Sequence, residues 1–218
     1  MLKQIATVAL AVIAAGSLMT ARADSQQVAS SAASTTNNSV AEGIANAGPT
    51  VNISSNPAWA AALPGSNWIS FASTGNPSGP SFYTVPNGES VVFTQVFDLT
   101  GGNVTGATLS VLADDTTSVI LNGVTLYSAN LGGSYPTCSS VAIGCLISTE
   151  GVFTFADLAP YLNPDGVNTL QFVVYQEAGS SYGLDYSGTI TTPEPSSIML
   201  LAAGMIGLLA ISRKFANA

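Results

Sequence analysis

The chain has 218 residues, 47% hydrophobic and only 7% charged, so its polar surface is built from Ser, Thr, Asn and Gly rather than from the about 25% charged residues of an average domain. Twelve acids against four bases give a net charge of -8, and the bases lie only at the ends (Lys3, Arg22, Arg213, Lys214), leaving none between Asp24 and Thr192. Such a body cannot neutralise phosphates, which excludes nucleic-acid binding, and the lack of any histidine excludes Ser-His-Asp and Cys-His machinery and imidazole metal sites.

Residues 1–23 open with Lys3, continue as an apolar run from Ile5 to Leu18, and close on Ala21-Arg22-Ala23. The small residues at Ala21 and Ala23 form an A-x-A cleavage site, which predicts a secretory signal helix cut before Asp24. A retained N-terminal anchor would need a longer apolar run. The chain is expected to be exported, with the Sec translocon and signal peptidase as processing partners.

Residues 24–56 are dominated by Ser, Ala, Thr, Asn and Gln, with single apolar residues and no sustained period. They are expected to form a flexible or weakly structured lead-in, its last part joining the domain as an edge. Residues 57–192 have the size of one domain and a pattern of period two. Ser90 to Leu99 places Val91, Phe93 and Phe97 on one face, and Thr105 to Ala113 places Ala107, Leu109, Val111 and Ala113 on one face. Thr117 to Leu121 leads through Asn122-Gly123, a pair suited to the positive φ angles of a tight hairpin, into Val124 to Tyr127. Leu170, Phe172 and Val174 alternate with polar and aliphatic neighbours, and Leu184, Tyr186, Gly188 and Ile190 form a last strand. One short helix is expected over Phe155 to Leu162, ended by Asn163-Pro164-Asp165-Gly166. Many short strands with turn signals predict an all-β, two-sheet β-sandwich.

Cys138 and Cys145 enclose six residues in a predicted loop. After export a disulfide is the default, worth roughly 2–3 kcal/mol as a local staple. A redox pair would lack both C-x-x-C spacing and a cationic neighbour.

The far end reads Pro193-Glu194-Pro195, an uncharged run over residues 195–212, then Arg213-Lys214. The run reaches the lower limit of a spanning helix, and the basic pair holds its end in the cytoplasm. The two prolines stop the helix from running back into the body and leave the triplet extended and accessible. Residues 193–218 are thus expected to contain a single transmembrane helix. In that order at a chain terminus, these features resemble the PEP-CTERM sorting signal of Gram-negative bacteria. The resemblance implies transient inner-membrane retention, recognition by an exosortase, removal of the tail near the triplet, and delivery to the cell surface or an extracellular polysaccharide matrix. A permanent single-span anchor is the alternative, as for any tail of this hydropathy.

Trp68-Ile69, Phe97-Asp98-Leu99, Ala113-Asp114-Asp115 with Ser118 to Gly123, and Leu162-Asn163-Pro164 through Leu170 resemble galactose-binding-domain-like jelly rolls. That resemblance implies carbohydrate binding, in some cases with a structural Ca²⁺, and fold alone does not establish a ligand. Asp114-Asp115 offers paired hard oxygen ligands for Ca²⁺; the other reading is a strand end whose carboxylates cap backbone amides. For sugar stacking the candidates are Trp59, Tyr135, Tyr175 and Tyr182, with Glu177 and Asp185 as polar partners, although an aromatic in a sandwich is usually core. Tyr127, Tyr186, Trp68 and the Phe residues are expected inside. Glu150, Glu177 or Asp185 could supply a glycosidase pair, but no spacing singles one out. The expectation is an exported, exosortase-sorted, non-catalytic surface or matrix protein associated with exopolysaccharide or biofilm. The rival readings are a calcium-dependent carbohydrate-binding module and a carboxylate-based glycosidase.

Overall fold

The computed structural model describes residues 24–32, 37–39, 48–99, 103–131, 137–192 and 204–205. The chain divides into residues 25–191, which form the β-structure, and a second unit of residues 1–24 and 192–218. The expected signal helix, the PEP triplet, Arg213, Lys214 and nearly all of the expected transmembrane helix lie outside the described residues, as does Tyr135. Among the described residues no helix is long and apolar enough to cross a membrane.

Twelve strands are described: β1 (Asp24–Ser30), β2 (Asn37–Ser39), β3 (Gly48–Pro49), β4 (Val51–Asn52), β5 (Ile69–Ser70), β6 (Ser90–Leu99), β7 (Gly106–Asp114), β8 (Thr116–Leu121), β9 (Val124–Tyr127), β10 (Gly151–Thr154), β11 (Gly166–Tyr175) and β12 (Gly183–Thr192), with a short helix α1 (Phe155–Leu158) between β10 and β11. They form two sheets. The first has the order β10-β7-β12-β5-β4, with β1 also paired to β12; the second has the order β3-β2-β6-β11-β8-β9. The all-β, two-sheet expectation agrees with this architecture.

The period of two explains the core. Val91, Phe93 and Leu99 of β6, Val119 and Leu121 of β8, and Leu170, Phe172 and Val174 of β11 face Leu109, Val111 and Ala113 of β7 and Leu184, Tyr186 and Ile190 of β12, all in one buried cluster. The rings of Phe172 and Tyr186 meet across the two sheets with centroids 4.4 Å apart. Asn122 and Gly123 take φ of 50° and 81°, the positive angles that a two-residue hairpin between β8 and β9 requires. The helix is shorter than expected, because Pro160 follows its first turn and cannot donate the next backbone bond.

The segment expected as a flexible lead-in instead supplies four strands, and the compact unit begins at Ser25 rather than at residue 57. Its pattern is hard to read because only isolated apolar residues, Val28, Ala29 and Ile53, reach the clusters, and polar groups supply much of the rest of its attachment. The Ser30 N–H donates to Gln95 Oε1 at 3.1 Å, which also accepts the Tyr186 hydroxyl at 2.8 Å. Just beyond β1, Ser31 is fully buried. Its hydroxyl donates to Asp185 Oδ1 at 2.7 Å and accepts the Tyr186 N–H at 3.0 Å. Buried polar groups cost little only when paired in this way.

Ser31→Ala would leave the buried Tyr186 N–H without its acceptor and Asp185 short of a donor. A loss of about 1–3 kcal/mol is expected, read as a lower urea midpoint at unchanged slope. An unchanged midpoint would show that the end of β1 does not clamp the sandwich.

Candidate functional site: an acid pair beneath a tryptophan lid

On the outer face of the first sheet, β7 presents Thr108, Ser110, Leu112 and Asp114, and β12 presents Thr189, Ser187, Asp185 and Gly183 directly opposite them. The two halves of this face are finished differently. Leu112 is fully buried although it points away from the main core, because Trp59, Leu63, Trp68 and Cys145 cover it in a second cluster. Thr108 and Ser110 remain uncovered and line an open groove with Gln27, Leu63, Pro64, Gly65, Ile147, Glu150, Ser187 and Thr189.

The cover is built by two loops. Asn56 starts the first: its side chain accepts the Ala58 N–H at 2.9 Å and donates to Ser181 Oγ at 2.8 Å, the Asx geometry that turns a chain locally. Trp59 then lies against Trp68, with ring centroids 4.3 Å apart. Gly183 makes room for it, since a Cβ there would stand 3.0 Å from the Trp59 ring. The second loop carries the Cys138–Cys145 disulfide, with Cα atoms 5.0 Å apart. It is pinned by bonds from Ala113 N–H to the Gly144 carbonyl at 3.0 Å and from Ala60 N–H to the Cys145 carbonyl at 2.8 Å. A Cβ on Gly144 would overlap the Cys138 carbonyl, so this tight loop depends on glycine.

Beneath the cover the chain passes from β7 in the first sheet to β8 in the second through Asp114 and Asp115, joined by a cis peptide bond. Asp114 is 6% exposed and Asp115 1%. The Trp59 indole N–H donates to Asp114 Oδ2 at 2.6 Å. Asp115 Oδ2 accepts the N–H groups of Glu177 and Ala178, each at 2.8 Å. The two carboxyl groups are hydrogen-bonded to each other, and burial, followed by the Asp115 carboxylate alongside, pushes the Asp114 pKa from 3.8 up to about 9 against the pull of the Trp59 N–H. At neutral pH Asp114 therefore keeps its proton. A cleft of about 380 Å³ opens over this pair, lined by Asn56, Trp59, the two cysteines, Ser139 and residues 178–181.

The remaining sequence candidates are placed as follows. Trp59 lines the cleft but is 8% exposed, with its N–H engaged, so it is a lid and not a free stacking platform. Tyr182 is fully buried between the sheets; its hydroxyl donates to the Val174 carbonyl at 2.8 Å and accepts the Val91 N–H at 3.0 Å. Asp185 is fully buried too, bonded to Ser31, to Ser66 Oγ at 2.5 Å and to the Leu63 N–H at 2.7 Å. Burial raises its pKa, opposed by those bonds. Both residues are structural, which corrects their assignment to a ligand surface. Tyr175 and Glu177 are half-buried, and Glu177 contributes its backbone N–H to Asp115. Glu150 lies in the groove, so the three acids considered for a glycosidase occupy separate environments.

Asp114 also lies within 4.8 Å of both cysteine sulfurs, but these are bonded to each other and are not thiolate ligands. The carboxylates are a poor Ca²⁺ site, because an ion would have to displace the Asp114 proton and compete with a Trp N–H and two backbone N–H donors. Asp115 has the geometry of the amide-capping reading, whereas Asp114 caps an indole N–H. Sequence reasoning missed the groove residues Thr108, Ser110, Ser187 and Thr189, whose signal was the hydroxyl half of the same alternation that marked the core.

Residues 191–214 match the family model described as the PEP-CTERM protein-sorting motif. No curated protein matches the chain. The match starts within the last residues of β12 and leaves the rest of the sandwich unassigned. The motif marks the chain for export and for sorting through the membrane to the cell surface, with exosortase as its processing partner.

Two outcomes follow from the acid pair. Between about 3.8, where a free Asp titrates, and about 9, the folded chain holds a proton at Asp114 that the unfolded chain does not. Its stabilising contribution is complete below the lower value and is lost as pH rises through the upper one, and Asp185 acts in the same direction. Wild type should melt at progressively lower temperature from pH 5 to pH 9, and Asp114→Asn should flatten that slope; parallel curves would refute proton retention. Millimolar Ca²⁺ should leave the melting temperature of wild type unchanged, and a clear upward shift would restore the metal reading.

Proposed function

We propose that this surface-sorted chain is a non-catalytic component of the extracellular matrix, holding a neutral exopolysaccharide of the biofilm along the outer face of its first sheet. The observation that carries the reading is the groove of about 670 Å³ over β7 and β12. On its floor Thr108 stands opposite Thr189 and Ser110 opposite Ser187, a row of hydroxyls in which Ser187 is held in place by donating to the Pro64 carbonyl at 3.0 Å. Gln27, whose side chain donates to Ser187 Oγ at 2.9 Å, and Glu150 extend the polar rim, while Leu63, Pro64 and Ile147 add apolar walls. Hydroxyls, amides and a carboxylate without any cation suit an uncharged polyhydroxylated chain and repel an anionic one. The groove is open and extended rather than a closed pocket, as a polymer requires.

Position supports the same reading. Along β12, Gly183 lies beside Asp114, whereas Thr191 lies beside Gly106 at the other end of β7. β12 therefore ends at the end of the sandwich opposite the tryptophan lid. The groove lies on a flank between the two ends.

Affinity electrophoresis of the exported sandwich through neutral and anionic polysaccharide gels tests this. Binding to the neutral polymer is expected, and Thr108→Trp or Ser110→Trp, which fill the groove without touching the acid pair, should weaken it about fivefold, near 1 kcal/mol. Retention unaffected by both variants at unchanged melting temperature would remove the groove from the proposal. Equal retention by the anionic polymer would remove the electrostatic argument.

A further inference from the structure

The Asp114 carboxyl and the sulfurs of Cys138 and Cys145 converge within 4.8 Å of one another at the edge of an open cleft. The two sulfurs are not equivalent. Both line the cleft, but Cys145 is 2% exposed and is a buried member of the apolar cluster under the lid, whereas Cys138 is half-buried and packs against that cluster. An attacking group can approach through the more exposed Cys138, and the sulfur that would then depart is that of the less exposed Cys145, within 4.8 Å of the acid.

We propose that Cys138–Cys145 is an exchangeable disulfide, opened by a dithiol that attacks the Cys138 sulfur while Asp114 delivers its proton to the departing sulfur of Cys145. In the first step a thiolate of the dithiol forms a new S–S bond to Cys138 as the Cys138–Cys145 bond breaks. The electron pair leaves on Cys145, which takes the Asp114 proton and becomes a thiol. In the second step the other thiol of the reagent, deprotonated by solvent, attacks its own sulfur in the mixed disulfide. Cys138 is released and protonated from water, and Asp114 regains its proton from water. The chain gains two electrons and two protons, and the dithiol loses the same.

Three observations support this assignment. A departing thiolate needs compensation, and the usual helpers are cations; from Asp24 to Thr192 there is no Lys, Arg or His, so compensation has to come as a proton. Asp114 holds one at neutral pH because it is buried beside the Asp115 carboxylate. The loop also keeps its anchors when the S–S bond opens: Cys145 N–H donates to the Cys138 carbonyl at 3.0 Å and Gly144 N–H to the Thr149 carbonyl at 3.1 Å, besides the bonds to Ala60 and Ala113. The titratable groups that face Asp114 are Asp115 and Tyr182. The lid loop 56–68, the disulfide loop 137–146 and residues 178–181 contribute no charged side chain.

The test is the reduction of the native chain by dithiothreitol between pH 6 and pH 10, followed by mass-tagging of free thiols, with rates expressed per reagent thiolate. The expected wild-type rate per thiolate is constant at low pH and falls as pH rises through about 9, where Asp114 loses its proton. Asp114→Asn, which retains a hydrogen-bond donor toward Asp115, should be slower by about tenfold or more at pH 7, and the gap should close by pH 10. Glutathione, a monothiol, should trap a mixed disulfide at Cys138 and not at Cys145. A flat wild-type profile overturns the proposal whether or not the Asn variant folds. So does a disulfide that yields only in urea, or an adduct on Cys145.

Discussion

A body without a single cation has to bury its carboxylates by some means other than ion pairing, and that constraint shapes this structure. Among the described residues three aspartates are buried, and each is accommodated by neutral donors. Asp115 takes two backbone N–H groups from the turn after β11. Asp185 takes two serine hydroxyls and one backbone N–H. Asp114 takes an indole N–H and also keeps its own proton. Ionised and isolated, any of the three would cost several kcal/mol in a medium of low dielectric. Each solution ties distant segments together, because the donors come from β1, the lid loop and the turn at residues 177–178.

The same constraint divides the outer face of the first sheet. Where an aspartate points outward, the chain has folded a cover over it: Trp59, Trp68 and the disulfide loop above Asp114, and the loop containing Leu63 and Ser66 above Asp185. Where serine and threonine point outward, the cover is partial, with Gln27 and Pro64 bonded to Ser187, because a hydroxyl is well solvated in water and gains little from burial. A covered cleft and an open groove thus arise on one pair of strands from a change of residue type halfway along. Register fixes the boundary, since Leu112 faces Asp185 on the covered side and Ser110 faces Ser187 on the open side.

This division also explains what the sequence made legible. The long strands were readable because Val91, Phe93, Leu109, Val111, Leu170 and Phe172 repeat every second residue, and Asn122-Gly123 announced its hairpin. The strands before residue 57 were not, because their apolar contacts are the isolated Val28, Ala29 and Ile53 and the rest of their attachment comes from serines and backbone bonds, which carry no hydrophobic period. Asp114-Asp115 stood out as a chemical cluster. Its partner Trp59, 55 residues away in sequence, could be found only once the fold had brought it over Gly183. Tyr182 and Asp185 were misread for a related reason. A polar atom on a strand suggests exposure, yet here each polar atom meets a specific buried partner.

β12 joins these features in time as well as in space. It is the last strand among the described residues, but in the first sheet it lies between β7 and β5 and also pairs with β1, the first described strand. Contacts between the two ends of a chain close late, because the full loop entropy must be overcome before they form. The sheet therefore cannot be completed until residues 183–192 have crossed the membrane. Those residues run directly into the sorting motif, which begins at residue 191. The clasp between β1 and β12 and the seating of Asp185 against Ser31 thus form only once the segment that leads into the motif is in place. Completion of the sandwich is tied by connectivity to presentation of the signal that sorts it.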